Sequence, residues 1–352
     1  MKRCRVVTYL LLFCMGVLTS CREMEVVTDS DFYDQSCIRI IYPVTGLGDR
    51  SYVDCIYRGI CLSEEYLPAF AVENYCPNTM EEAEGAMGDW FEPSASGKFR
   101  NRLLILTNDS YTALLLAHPE WTIPDGDAVL LLDHNGALPA PWQDVYTRLV
   151  CCYGASYEAA RLIKELGGER TAIVMANPLI QAPQEIKQGF VDGFRAGGGT
   201  FDDEADTYYL GQGIDEGFDQ ADSLYHLCAT LATEKRYAFV LPVCGGSIQG
   251  ALRYTRDYPD SFFTCGIDVD MQDYSTKVAF SIMKHMDSLI VEFLGHWLSG
   301  EAQERNIIYE VDSRFAELCI SWRFQLEYSD VLDMLQSYQN EAVTAGFGYC
   351  KQ

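Results

Sequence analysis

The sequence is short of positive charge. Its 352 residues include 26 lysines and arginines against 51 aspartates and glutamates, which gives a formal net charge of −25 at pH 7. A chain this acidic repels the phosphates of nucleic acids and the anionic headgroups of a membrane surface. We therefore expect neither a nucleic-acid partner nor a polybasic membrane-binding patch.

The short motifs of common enzymes and metal sites are also missing. The five histidines show no H-E-x-x-H spacing, and the sequence contains neither a P-loop nor a G-x-G-x-x-G turn. The stretch from Gly245 to Gln249 reads GGSIQ and departs from the G-x-S-x-G of many hydrolases at its last position. These absences predict a protein that is not an enzyme and that binds no metal and no cofactor.

Cysteine spacings that favour disulfides or metal binding are absent as well. The sequence has 14 cysteines but no C-x-x-C, and an odd number remains once Cys4, Cys14 and Cys21 are set aside with the N-terminal segment. Cys244 and Cys265 lie within apolar, strand-like runs. We interpret most of the cysteines as small buried apolar residues.

The most extended apolar run lies near the N terminus, and it is too short to span a membrane. Three basic residues within the first five precede an apolar segment over residues 6–18. A permanent membrane-spanning helix needs about 20 apolar residues. This pattern therefore predicts an export signal over residues 1–20.

The end of this signal carries a lipidation pattern. Leu18-Thr19-Ser20-Cys21 resembles a bacterial lipobox, in which the cysteine is lipidated and becomes the first residue of the mature chain. The resemblance implies a lipid anchor at Cys21, a tether over residues 21–36 and a place in the bacterial cell envelope. Arg22 is not the aspartate associated with inner-membrane retention, which favours the outer membrane. An ordinary cleaved signal with an incidental cysteine is the alternative.

The remaining chain shows the alternation of α/β proteins. From residue 37 onward, short apolar runs alternate with amphipathic helical patterns, which is typical of βαβ units and parallel sheets. The pattern restarts after the glycines at 167–168 and so predicts two doubly wound, Rossmann-like lobes joined by a hinge. The expected boundaries are lobe 1 over 37–150 plus 283–304, lobe 2 over 151–282 plus 305–323, and a C-terminal helix over 324–352 whose lobe is left open.

Several residues are candidates for a ligand site between such lobes. In parallel sheets, ligands bind at the carboxyl ends of the strands, and Asp268 ends an apolar strand. From the residues alone, Asp49 could equally cap the first helix, Phe190 would be a core residue, and Lys284 could be a solvated surface residue. Asp268 is therefore the strongest single candidate.

Four patches resemble the basic membrane protein family, the purine-nucleoside receptor lipoproteins of ABC transporters, which have the type I periplasmic-binding-protein fold. They match the family's G-D-K-S-F-N and aromatic-x-G-I, its F-x-x-G-F, its G-V-D-x-D and its V-K-R-V-D. In this sequence they are Gly48-Asp49-Arg50-Ser51-Tyr52 with Tyr57-Arg58-Gly59-Ile60, Phe190-Val191-Asp192-Gly193-Phe194, Gly266-Ile267-Asp268-Val269-Asp270 and Met283-Lys284-His285-Met286-Asp287.

The resemblance implies a nucleoside between two aromatic rings. It assigns base recognition to Asp49, stacking on the base to Tyr52 and Phe190, and the sugar hydroxyls to Asp268 and Lys284. The implied function is a lipid-anchored receptor that binds a nucleoside-like solute and delivers it to an ABC permease.

Two departures from the family pattern keep a second hypothesis open. Val53 stands where the family has asparagine, and the stretch around Tyr153 lacks the family's acid. The alternative is a surface lipoprotein that uses the same scaffold as a sensor or protein-interaction module without binding a nucleoside.

Overall fold

Two six-stranded sheets organise the chain. The computed structural model describes residues 35–92, 99–328 and 330–350, so the predicted signal peptide, Cys21 and most of the tether lie outside the described residues. The strands are β1 Ser36–Ile41, β2 Phe70–Tyr75, β3 Arg102–Leu106, β4 Ala128–Leu132, β5 Tyr146–Val150, β6 Thr171–Met175, β7 Thr207–Tyr209, β8 Phe239–Val243, β9 Phe263–Asp268, β10 Val278–Lys284, β11 Asn306–Tyr309 and β12 Ala316–Ile320.

Helices follow most of these strands, as the alternating pattern predicts. Their bounds are α1 Tyr52–Tyr66, α2 Met80–Phe91, α3 Thr112–Ala117, α4 Tyr153–Glu165, α5 Gln181–Ala196, α6 Ala221–Thr230, α7 Ile248–Asp257, α8 Met286–Ser299, α9 Trp322–Glu327 and α10 Val331–Cys350.

The first sheet is parallel throughout. Its order is β11-β5-β4-β3-β1-β2, and its central strands β3 and β4 are buried at every position. Strands covered by helices on both faces read as continuous apolar runs. Such runs, RLLIL in β3 and AVLLL in β4, are what the sequence shows.

The second sheet repeats this plan with one reversed edge. Its order is β12-β10-β9-β8-β6-β7, and only β12 runs antiparallel, against β10. Parallel strands place their carboxyl ends at one edge of the sheet, where the following loops can form a ligand site. Each sheet therefore presents one loop-lined edge.

Within residues 35–92 and 99–328, three segments pass from one lobe to the other. The first follows β5, because α4 packs against α5 of the second lobe. The second follows β10, because α8 packs against α1 of the first lobe. The third joins β11 of the first sheet to β12 of the second. Parallel connecting segments of this kind can act as a hinge between lobes.

The α/β fold class with two doubly wound lobes is confirmed. Within the predicted division, one segment is corrected: residues 306–309 pair with β5 and extend the first sheet, whereas the sequence grouped them with the second lobe. The packing of the preceding helix determines which sheet an edge strand joins. The short run NIIY carries no information about that choice. The C-terminal helix α10, whose lobe was left open, packs on α4 of the second lobe.

The cysteines of the described residues lie mainly in the core. The buried thiols are those of Cys37, Cys55, Cys151, Cys152, Cys228, Cys244 and Cys265, and burial raises the pKa of Cys55 to about 11. Buried neutral thiols behave as small apolar groups. This agrees with their interpretation as packing residues.

Candidate functional site

A cleft lies between the loop-lined edges of the two sheets. Its volume is about 390 Å³, which is in the range of small-molecule sites. The first lobe lines it with residues that follow β1, β3 and β4, and the second lobe with residues that follow β6, β7 and β8 or that end β9 and β10. The cleft is thus built at the position that the fold favours for a ligand.

The glycine turn after β1 shapes one wall of the cleft and begins α1. Gly46 and Gly48 adopt positive φ angles of 72° and 102°, which glycine tolerates without steric cost. Asp49 Oδ1 accepts hydrogen bonds from the N–H groups of Ser51 and Asp54, and its Oδ2 accepts one from Val53.

These bonds give Asp49 a structural role, and its part in base recognition stays a prediction. Its carboxylate satisfies the free N–H groups at the start of α1, so its oxygens are engaged by the backbone even though the residue lines the cleft. The helix-capping interpretation that the residues alone allowed describes this position. A carboxylate offers about four acceptor positions, so the three backbone donors leave about one for a ligand.

Tyr52 lines the cleft, as its predicted role requires. Its hydroxyl donates a hydrogen bond of 2.7 Å to the carbonyl oxygen of Thr107, which fixes the ring against the end of β3. The Lys284 ammonium lies 5.8 Å from the centre of this ring, within the range of a cation–π contact.

Phe190 does not line the cleft. Its side chain is 0% exposed and stacks with Phe194 and Phe239, with ring centres 6.3 and 5.5 Å away. Phe190 and Phe194 are four residues apart on α5, so they share the face that packs on the second sheet. The predicted stacking role of Phe190 is therefore wrong, and the aromatic residue that the second lobe brings to the cleft is Phe218.

Asp268 lies on the floor of the cleft at the end of β9. Its side chain is 8% exposed, and Ser51 Oγ of the first lobe donates to its Oδ2 over 2.7 Å. Its φ angle of 68° is in the left-handed region, and Asp133 at the end of β4 has the same conformation with φ of 55°. Residues whose backbone is held in this sparsely populated conformation are concentrated at functional sites.

Lys284, at the end of β10, connects carboxylates from both lobes. Its side chain is 3% exposed, and its ammonium lies 3.2 Å from both oxygens of Asp133 in the first lobe and 3.7 Å from Glu185 on α5 of the second. Glu185 also accepts a hydrogen bond of 3.0 Å from the N–H of Cys152, in the first hinge segment. Lys284 is thus in the cleft, as predicted, but it already has two carboxylate partners.

The electrostatics of this floor follow from its burial. Burial raises the pKa of Asp268 to about 6 and that of Glu185 to about 7, and the Lys284 ammonium opposes both shifts. The pKa of Lys284 is raised because the attraction of Asp133 and Glu185 outweighs the cost of burying its charge. The lysine is therefore charged at every physiological pH.

Two of these residues escaped the sequence analysis. Asp133 directly follows the apolar strand β4, just as Asp268 ends β9, so the same strand-end signal could have found it. Glu185 lies within an amphipathic helix, where nothing local distinguishes it from a surface carboxylate. Among the described residues, no group of three or more potential metal ligands is present.

Known proteins resemble this chain in structure but not in sequence. No protein-family model matches the sequence, and the search of curated proteins finds no match. The structure resembles an ABC transporter solute-binding protein from Aeropyrum pernix K1, with a TM-score of 0.65 and 15% identity over 90% of this chain and 89% of that one.

Two further solved structures show the same likeness. GanP, a glucose-galactose binding protein from Geobacillus stearothermophilus, has a TM-score of 0.55 and 14% identity over 81% of this chain and 98% of its own. The transcription regulator CcpA of Lactococcus lactis has a TM-score of 0.57 and 14% identity over 81% of this chain and 97% of its own. These likenesses confirm the type I periplasmic-binding-protein fold.

Proposed function

We propose that the protein is a solute receptor that binds a small, nucleoside-like molecule in the cleft between its lobes and passes it to an ABC permease. The observation that carries this proposal is the cleft itself: a cavity of about 390 Å³ at the carboxyl ends of both sheets, with a buried polar floor. The solved ABC solute-binding protein with the same fold supports the class of function.

A nucleoside-like solute suits the walls and the floor of the cleft. Tyr52 from one lobe and Phe218 from the other offer faces on which a planar base can stack, a contact worth about 1–3 kcal/mol per base. Asp268 can accept hydrogen bonds from sugar hydroxyls. In this arrangement Phe218 takes the role that the family resemblance assigned to Phe190.

Binding would favour closure of the lobes. A solute that contacts Tyr52 in the first lobe and Asp268 in the second interacts more strongly with the closed form than with an open one, so it shifts the equilibrium toward closure. No bond of the solute needs to break. Among the described residues that line the cleft, no histidine stands beside a nucleophile, which favours a receptor over an enzyme.

The cellular setting is proposed from the sequence. A lipid on Cys21 would tether the lobes to a membrane of the bacterial envelope, with the outer membrane favoured by Arg22. Several acyl chains on one terminus anchor firmly, whereas a single chain binds only marginally. None of the described helices is long and apolar enough to cross a membrane.

A sensor or protein-interaction module is the second candidate. Lys284 is already occupied by Asp133 and Glu185, and Val53 cannot hydrogen-bond a base edge. The transcription regulator with the same fold also shows that the scaffold is not confined to transport. Under this alternative the cleft binds no nucleoside.

Thermal unfolding of the purified protein, refolded to remove any carried-over solute, separates the two candidates. Nucleosides, free bases and sugars would be added one at a time. A true solute at about a hundred times its dissociation constant should add about 2.7 kcal/mol to the free energy of unfolding.

The variant Asp268→Asn should reduce this stabilisation, since asparagine tolerates the left-handed backbone but lacks the charge. Asp260→Asn, at an exposed position outside the cleft, is the matched control and should respond like the wild type. If no solute in the panel raises the unfolding temperature, nucleoside binding is wrong and the interaction module is favoured.

A further inference from the structure

The charge of the cleft is one-sided. Six aspartates line it, and the only lysine or arginine among its described lining residues is Lys284. The aspartates are Asp49, Asp109, Asp133, Asp215, Asp219 and Asp268.

Three of these carboxylates are already compensated. Asp49 accepts from three backbone N–H groups, and Asp109 accepts from Thr112 and pairs with His134 over 2.6 Å. Asp133 holds the Lys284 ammonium, which also faces Glu185. The lysine therefore has no capacity to neutralise a further buried carboxylate completely.

Asp268 is the carboxylate left without full compensation. It is more than nine-tenths buried and lines the cavity, yet its only hydrogen bond within the described residues is the one from Ser51 to Oδ2. Its Oδ1 has no donor among those residues. A buried carboxylate of this kind is costly unless it is paired, and burial raises its pKa to about 6.

The second lobe adds further unpaired charge to the same cavity. Asp215 and Asp219 follow β7 and line the cleft, and neither carboxylate has a hydrogen bond or ion pair among the described residues. Burial raises the pKa of Asp215, as expected where no cation stabilises the charged form. The potential inside the cleft is therefore negative, and an anionic solute is disfavoured.

We infer that the solute carries a protonated amine, which pairs with Oδ1 of Asp268 on the floor of the cleft. The inference rests on the proposed function, because it assigns a charge class to the solute of the same cleft. A nucleoside-like or sugar-like molecule with an amino group meets both requirements: its amine compensates Asp268, and its remaining body contacts the aromatic walls.

Series of solutes of similar size, each with a neutral, a cationic and an anionic member, test this inference by thermal unfolding of the whole protein. One series is glucose, glucosamine and glucuronate. Another is adenosine and its two derivatives that carry an amine or a carboxylate at the terminal carbon of the sugar. A third is butanediol, putrescine and succinate. In at least one series, the cationic member should stabilise the protein at a concentration at least about tenfold lower than its neutral and anionic counterparts.

Two variants locate the effect. Asp268→Asn and, independently, Asp215→Asn should each reduce the preference for the cation, whereas Asp260→Asn outside the cleft should retain it. Asp215→Asn keeps the test valid if Asp268→Asn does not fold. A cation preference that is unchanged in both cleft variants would reflect the overall acidity of the protein and would overturn the inference.

The remaining outcomes distinguish this inference from the proposed function. If solutes stabilise the protein but in no series does the cationic member act at a lower concentration than its neutral and anionic counterparts, the charge class is wrong and the solute receptor stands. If no member of any series changes the unfolding temperature, the receptor function fails and the inference fails with it.

Discussion

At the scale of single residues, buried carboxyl groups have the largest consequences. Asp268 faces the cleft and accepts a hydrogen bond from Ser51. Glu158, on α4, is 4% exposed and has no hydrogen bond or ion pair within the described part of the chain. Desolvation raises the pKa of Glu158 to about 8, so the folded protein holds this side chain in its neutral form at pH 7.

Glu158 makes the stability of the protein depend on pH. Its folded-state pKa is about 8 and the ordinary value is 4.5, so the folded state binds more protons between these values. The contribution to the free energy of unfolding is fully present below about pH 4.5 and is lost as the pH rises through 8. The loss is on the order of 5 kcal/mol.

The variant Glu158→Gln should remove this part of the pH dependence, because glutamine is neutral throughout. Chemical denaturation at several pH values between 4.5 and 8 measures the difference between variant and wild type. Glu165→Gln, at an exposed position of the same helix, is the control and should follow the wild-type curve. Equal pH slopes for wild type and Glu158→Gln would contradict the assignment.

At the scale of secondary-structure elements, the close packing of α4 on α5 accounts for a motif that the sequence analysis assigned to the ligand. A Cβ atom at Gly189 would lie 2.2 Å from the carbonyl oxygen of Tyr153, and one at Gly193 would lie 2.2 Å from that of Tyr157. The two glycines thus face α4, while Phe190 and Phe194 face the core. The F-x-x-G-F pattern specifies helix packing here.

Gly193→Ala should therefore destabilise the protein even though alanine favours helices. Separating two packed helices typically costs about 1–3 kcal/mol, more than the gain in helix propensity of up to about 1 kcal/mol. Denaturant unfolding measures the change. Gly85→Ala, in α2 with no atom within 4 Å of the added Cβ, is the matched control and should be neutral or stabilising. If both variants are stabilising, the helix contact is not close-packed.

At the scale of the whole molecule, the two lobes contact each other across the cleft. The Ser51–Asp268 hydrogen bond and the Lys284–Asp133 ion pair join them at the floor. Nearer the glycine turns, a Cβ atom on Gly246 would lie 3.4 Å from the Cα atom of Asp49 in the opposite lobe. The described arrangement is therefore a closed one, and any opening must break these contacts.

Gly246→Leu should favour a more open form. A leucine side chain would occupy the space where Gly246 approaches Asp49, so small-angle scattering should give a larger radius of gyration for the variant than for the wild type. The solute binds the closed form, so a smaller population of that form lowers the apparent affinity. Binding of a stabilising solute should therefore weaken about tenfold or more. Gly85→Leu, which adds the same side chain at an exposed position, should leave both quantities unchanged.

The sequence by itself determined the order of strands and helices, the two-lobed α/β fold and the strand-end position of Asp268. These features follow from local periodicity and from the geometry common to parallel sheets. Each can therefore be predicted from a short segment of the sequence without knowing its tertiary contacts.

Only the tertiary structure decided which groups meet. Lys284 and Asp133 are 151 positions apart in the sequence, and they pair because β10 and β4 end at the same cleft. An amphipathic pattern shows that one face of α5 is buried, but not that Phe190 faces the sheet while the glycines face α4. Side-chain partners depend on how elements pack, and packing joins segments that have no local relation in the chain.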